Sequence, residues 1–207
     1  MIEVQESIAE DIAVALEVVL DENKQKLSKR LKNYPDPVEM FDTYGADALR
    51  WYFLARLSPD VQNRISVDIV ADVASSFINT FWNTYGFFVL YARLDKVDLT
   101  RNVPVEDRPE IDRWALALLH ETVTKVTDAL DHFDARTAGE AIESFVDQLS
   151  NWYVRRNRRR FWKSTDPADK QAAYLTLYEC LKGAHELMAP FVPFLAENVY
   201  QNLVRSV

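Results

Sequence analysis

The chain has 207 residues, of which 48% are hydrophobic and 27% charged, with a formal net charge of −8. That length supports one sizeable core or one domain with an appendage, and five Trp, nine Tyr and eleven Phe exclude a disordered chain. A single cysteine, Cys180, excludes an intrachain disulfide and a cysteine-rich zinc site, and leaves a buried structural thiol as the expectation.

No apolar run is long enough to cross a bilayer, and no basic segment precedes an apolar stretch at the start, so a cytoplasmic protein without membrane contact is expected. Residues 5–13 favour a helix through Ile8 and Ile12. Residues 14–20 favour a strand through Val14, Leu16 and Val18 that enters a hairpin at Asp21-Glu22-Asn23. Residues 24–36 read as loop. Asp36 then caps a short helix from Pro37 to Asp42, with proline at its first turn. Tyr44-Gly45 breaks that helix. The next runs from Ala46 to Leu57, with Leu49, Phe53 and Leu57 on one face, and Ser58-Pro59-Asp60 turns the chain.

Val67 to Leu94 reads as one long helix, because Val70, Val73, Phe77, Phe81, Thr84 and Phe88 recur at spacings of three and four. Gly86 inside it costs about 1 kcal/mol relative to alanine and suggests a close helix contact. A polar connection with Pro104 and Pro109 leads to a helix over 111–133, striped by Ile111, Trp114, Leu118, Val123, Val126, Leu130 and Phe133. Another spans Ala135 to about Arg160, with Ile142, Phe145, Leu149 and Trp152 as its stripe. After Asp166-Pro167, helices over 169–188 and 191–203 complete the chain, with Pro190 and Pro193 between them. The expected fold class is mainly all-α: a helical bundle over residues 60–207 behind a small N-terminal appendage over 1–59.

Two basic segments carry chemistry. Lys26, Lys29 and Arg30 fall within five residues around Ser28, a set able to close over a triphosphate, although a solvated loop explains the same residues. Between Asp147 and Asp166 there are no acids, yet Arg155, Arg156, Arg158, Arg159, Arg160 and Lys163 crowd together. Trp152, Tyr153, Phe161 and Trp162 interleave with them, a pattern suited to phosphates and unpaired bases. A local patch acts on an acidic protein because fields are screened beyond about 10 Å. The competing reading puts Trp152 in the core and pairs the arginines with Asp147 or Asp166. His120, His132 and His185 are scattered, no metal ligand set is expected, and no glycine-rich phosphate loop of the GxxxxGK type is present.

Lys26-Leu27-Ser28-Lys29-Arg30 is similar to the KMSKS signature of class I aminoacyl-tRNA synthetases, with Leu27 for methionine and Arg30 for the final serine. Leu31-Lys32-Asn33-Tyr34-Pro35-Asp36-Pro37 and Tyr44-Gly45-Ala46-Asp47-Ala48-Leu49-Arg50 resemble the stretch beyond that signature in the isoleucyl-tRNA synthetases. Phe81-Trp82-Asn83-Thr84-Tyr85, Asp112-Arg113-Trp114, Ser150-Asn151-Trp152-Tyr153-Val154-Arg155-Arg156 and Ala189-Pro190-Phe191-Val192-Pro193-Phe194 resemble the family's anticodon-binding helices.

The resemblance implies that Lys29 contacts ATP phosphates, supported by Lys26 and Ser28, with Arg30 adding charge. It also implies that Asn151, Trp152, Arg155, Arg156, Arg158, Arg159, Arg160 and Lys163 meet the anticodon stem-loop of tRNA(Ile). The family's HIGH signature and editing domain are not in this sequence. The resemblance therefore implies a monomeric fragment of an ATP- and magnesium-dependent ligase, inactive by itself, with no cofactor bound and the missing domains as partners. A stand-alone RNA-binding module and a valyl-tRNA synthetase fragment are the alternatives.

Overall fold

The computed structural model describes residues 19–21, 23–28, 30–31, 33–57 and 63–205. The expected helix over 5–13, most of the expected strand over 14–20 and the Ser58-Pro59-Asp60 turn lie outside the described residues, as does Lys29. Among the described residues the regular secondary structure is helical, and Leu20 forms isolated bridges with Lys26 and with Arg64.

The hairpin expected at Asp21 is present: the Asp21 amide donates to the Gln25 carbonyl at 2.9 Å, and the Asp21 carboxylate accepts from the Asn23 and Gln25 amides. The amide bond from Gln25, opposed by desolvation and aided by Asn33 and Asn23, lowers the pKa of that carboxyl. Helix α1, Pro37–Tyr44, begins where the Asp36 side chain accepts from the Val38 and Glu39 amides. It ends at Gly45, whose φ of 81° favours a residue without Cβ. Helix α2, Ala46–Trp51, continues into a π-helical turn, Tyr52–Arg56.

The long helix expected from Val67 is built as α3, Val67–Val73, a π-helical turn Ala74–Ile78, and α4, Asn79–Asp95. A 3-10 turn, Val105–Asp107, precedes α5, Glu110–Asp131. Then come α6, Ala135–Asp147, a π-helical turn Gln148–Val154, and α7, Arg155–Trp162. Helix α8 spans Pro167–Met188, and α9, Pro193–Val199, ends in a π-helical turn, Tyr200–Val204.

Helix α5 packs against α6 and α8, and α4 packs against α8 and the Gln148–Val154 turn. The short turn at 132–134 sets α5 and α6 side by side. One core runs through the assembly and includes Phe81, Ile142, Phe145, Leu149, Tyr153, Phe161, Tyr174, Leu177 and Leu181. Cys180 is fully buried, as expected, and burial pushes its thiol pKa up. Trp51 of α2 is in the same core, stacked on Phe77 with ring centroids 3.9 Å apart, and its indole N–H donates to Glu143 at 2.8 Å.

Three expected details are corrected. Phe53 is 42% exposed, not part of a Leu49–Leu57 stripe, because the π-helical turn puts Tyr52 and Ala55 inward instead. On α5 the buried line is Asp112, Ala115, Leu116, Leu119, Thr122, Val126 and Ala129; of the expected stripe Val126 is buried and Ile111, Trp114, Leu118 and Leu130 pack partly buried at its edge, while Val123 and Phe133 are exposed. Gly86 faces open space. The close contact is made by Gly139, where a Cβ would lie 2.3 Å from that of Ala55.

Candidate nucleic-acid interface

The two basic segments have different surroundings. In the first, Lys26 and Arg30 are exposed and Ser28 is half-buried. Asn33 holds the loop from below. Its side-chain carbonyl accepts from the Ser28 amide at 2.8 Å, while its Nδ2 donates to the Asp21 carboxylate at 2.7 Å and to the Lys26 carbonyl at 3.2 Å. One amide side chain thus ties both flanks of Leu27 to the hairpin, leaving the Lys26 and Arg30 side chains outward. Asn33 was visible in the sequence as part of the Asn33–Pro37 motif, but its role depends on a fold-back that spacing does not encode.

The second segment begins in a π-helical turn. An ordinary α-helix carries the stripe from Leu149 to Trp152. The wider turn carries it to Tyr153 and Val154, which are buried, and then to Asn157 and Phe161. The core placement of Trp152 is therefore corrected: it is 44% exposed and meets Trp114 edge-on, with centroids 6.4 Å apart. The Arg156 guanidinium carbon lies 3.4 Å above the Trp152 ring, within cation–π range.

Arg160, expected among the RNA contacts, has its guanidinium engaged inward. It makes a two-pronged pair with Asp112, at 2.6 and 2.8 Å, and reaches the Asp169 carboxylate at 2.8 Å. Asp112 has no exposed surface, so its charge requires this partner. Burial opposes the arginine's charge, but the two carboxylates outweigh it and raise its pKa. Tyr153 donates to the same Asp112 oxygen at 2.8 Å. Burial and that carboxylate push its pKa far up, so it stays a neutral donor. Asp112 was missed as the anchor. The signal was a carboxylate at a position whose neighbours on the helix face are buried.

The other cations point away. Arg155, Arg156, Arg158, Arg159 and Lys163 are exposed, and among the described residues none of them forms an ion pair. The acids suggested as their partners are occupied elsewhere. Asp147 accepts from Asn151 Nδ2 at 2.7 Å, and Asp166 caps α8 through the Ala168 and Asp169 amides. Helix α7 is thus two-sided, with Asn157, Arg160 and Phe161 inward and an unneutralised cationic ridge outward. Such a ridge repels itself and suits a polyanion. Among the described residues no cluster of three His, Cys, Asp or Glu could hold a metal, and no helix is long and apolar enough to cross a membrane.

Residues 112–207 match the family described as the anticodon-binding domain of tRNA ligase, and residues 12–67 match class I tRNA synthetases (I, L, M and V). The chain is 48% identical to an isoleucine–tRNA ligase of Thermus thermophilus over 202 residues, 97% of this chain and 19% of that protein. It is 50% identical to that of Deinococcus radiodurans over 190 residues, 92% of this chain and 18% of that protein. The chain therefore spans about a fifth of the length of these relatives. A solved Mycobacterium tuberculosis methionyl-tRNA synthetase in complex with methionyl-adenylate shares the fold, with a TM-score of 0.71 and 21% identity over 87% of this chain and 36% of that one. So does an Agrobacterium radiobacter LeuRS from a ternary complex with tRNA and LeuAMS, with a TM-score of 0.60 and 22% identity over 88% of this chain and 21% of that one.

Proposed function

We propose, from the premise that this chain belongs to the class I tRNA synthetases on their isoleucine branch, that its arginine ridge binds the anticodon stem-loop of an isoleucine-accepting tRNA. The observation that carries this reading is the outward row Arg155, Arg158, Arg159 and Lys163, without carboxylate partners, inside the segment matched to anticodon-binding domains. The inward tie of Arg160 to Asp112 and Asp169 supports it, because it locks the helix that presents the row.

The Lys26–Arg30 loop serves, in this reading, a longer isoleucine–tRNA ligase. Lys26, Lys29 and Arg30 attract the ATP phosphates, and magnesium arrives with the nucleotide. The Ser28 amide is already committed to Asn33, so that residue shapes the loop through its backbone. The chemistry supplied is charge stabilisation as isoleucine attacks the α-phosphorus and pyrophosphate leaves. This stretch by itself is expected to bind tRNA as a monomer and to show background isoleucine-dependent ATP–pyrophosphate exchange. The setting is the cytoplasm, where aminoacylation feeds translation.

Titration with isoleucine-accepting tRNA, beside valine-accepting tRNA, tests the reading. Four phosphate contacts predict a log–log salt slope of about −3 to −4, a loss of roughly 100-fold in affinity between 50 and 200 mM salt. Changing Arg155 and Arg159 to glutamine should flatten that slope by about 2. Salt-insensitive binding, or a slope unchanged in this variant, would reject the ridge.

A further inference from the structure

We infer that Asn33, backed by Asp21, is a positioning residue for the activation of isoleucine: it holds the Lys26–Arg30 loop in the one frame from which its cations meet the nucleotide phosphates; this rests on the proposed reading of that loop. The Asn33 amide is fully engaged as a donor. Its carbonyl accepts from the Ser28 amide at 2.8 Å, and the two hydrogens of Nδ2 go to the Asp21 carboxylate at 2.7 Å and the Lys26 carbonyl at 3.2 Å. Turning the amide over would set a donor against the Ser28 N–H and an acceptor against the carboxylate, so its partners fix its orientation. All three bonds go to the loop and its hairpin.

Asp21 gives this latch a rigid base. It is 7% exposed, and one of its oxygens accepts from the Asn23 and Gln25 amides while the other takes Asn33. Its pKa is lowered, first of all by the Gln25 amide, so the carboxylate is ionised and acts only as an acceptor. Between the two tied positions, Leu27 packs partly buried against the core. The chain is thus held at three successive residues, Lys26, Leu27 and Ser28, while the Lys26 and Arg30 side chains stay exposed.

A fixed frame is what the proposed step needs. A carboxylate oxygen of isoleucine bonds to the α-phosphorus, the bond from that phosphorus to the bridging oxygen breaks, and pyrophosphate leaves with the electron pair. Stabilising the charge that shifts onto the leaving oxygens depends on cations placed beforehand. A lysine side chain is a flexible point charge, so the placement must come from the backbone that carries it.

Two substitutions cut the latch from opposite ends. Asn33→Ala removes all three bonds. Asp21→Asn keeps a carbonyl for the Asn23 and Gln25 amides but turns an NH2 toward Asn33, so the hairpin turn stays and the tie is lost. In the 207-residue chain, NMR-detected exchange of the Ser28 amide should rise about fivefold in Asn33→Ala, the effect of one hydrogen bond. In the longer ligase, Asn33→Ala should lower the kcat of isoleucine-dependent ATP–pyrophosphate exchange by about 100-fold, the loss expected when a charge is misplaced by about 1 Å. Asp21→Asn should lower kcat in the same way, and the KM for isoleucine should stay at the wild-type value in both. The double variant should be no slower than the slower single one, because both break the same tie. An unchanged or raised kcat in Asn33→Ala, an effect confined to KM, losses that multiply in the double variant, or unaltered exchange at Ser28 overturns the latch while leaving the assignment of the loop standing. A wild-type ligase without isoleucine-dependent exchange overturns both.

Discussion

Five arginines between residues 155 and 160 have the same chemistry in the sequence, and the structure gives them three different positions. Arg155, Arg158 and Arg159 face water, Arg156 lies on an indole, and Arg160 is bound by two carboxylates. Spacing separated rows of side chains but not their partners, because Asp112 is 48 residues away and meets Arg160 only after α5 and α7 are packed. A paired substitution exposes the difference. Arg160→Gln leaves the fully buried Asp112 charge without a cation, a destabilisation of about 3–5 kcal/mol. Arg159→Gln, a change at an exposed side chain, should stay within about 0.5 kcal/mol of wild type. Urea unfolding of the two variants measures this directly. Equal stability of both would mean that Asp112 is compensated by Tyr153 alone.

At the scale of elements, helix positions were legible and helix faces were less so. The expected helix from Val67 to Leu94 coincides with α3 and α4, and its stripe from Val70 to Phe88 is buried throughout its apolar members. Faces were lost at Phe53 and Trp152, each within a π-helical turn, where the extra residue shifts nearby side chains off a 3.6-residue pattern. Glycine had the same fate. Gly86 was the conspicuous one, yet it lies beside Trp82 and Leu90 on an open groove, while Gly139 lets α6 approach Tyr52–Arg56. Gly139→Ala should destabilise by about 1–3 kcal/mol, since a backbone-borne atom, Ala55 Cβ, stands where the methyl must go. Gly86→Ala should stabilise by about 0.4–1 kcal/mol by restricting the unfolded chain without a clash. Thermal midpoints that shift in the same direction for both variants would contradict these assignments.

For the molecule as a whole, the ordered series of motifs made the family legible, and the class of fold followed from helical periodicity. The connection between front and body was not legible, because it joins residues some 140 positions apart. Asp47 accepts from the Leu195 amide at 2.7 Å and more weakly from Phe194, at the start of α9. Arg50 donates to the carbonyls of Pro190 and Phe191, at 2.8 and 3.0 Å. Two motifs that look separate in sequence, residues 44–50 and 189–194, are thus one joint, in which a carboxylate caps one chain end and a guanidinium the other. Trp51, next to them, is fully buried against Phe77 and Phe191. Such a joint makes α2 unfold with the body, whereas the hairpin at Leu20–Lys26, whose bonds are mostly internal and which meets residues 63–65 through the Leu20 amide and carbonyl, can open by itself. Hydrogen exchange should accordingly find the amides of Ala55 and Tyr52 protected as strongly as those of α8, and Asp21 and Lys24 much less. Asp47→Ala leaves the Leu195 amide without its acceptor and should accelerate exchange at 193–196 before it affects α5 or α6. Uniform acceleration along the whole chain would instead make the joint part of a single cooperative unit, in which the front and the body cannot move separately.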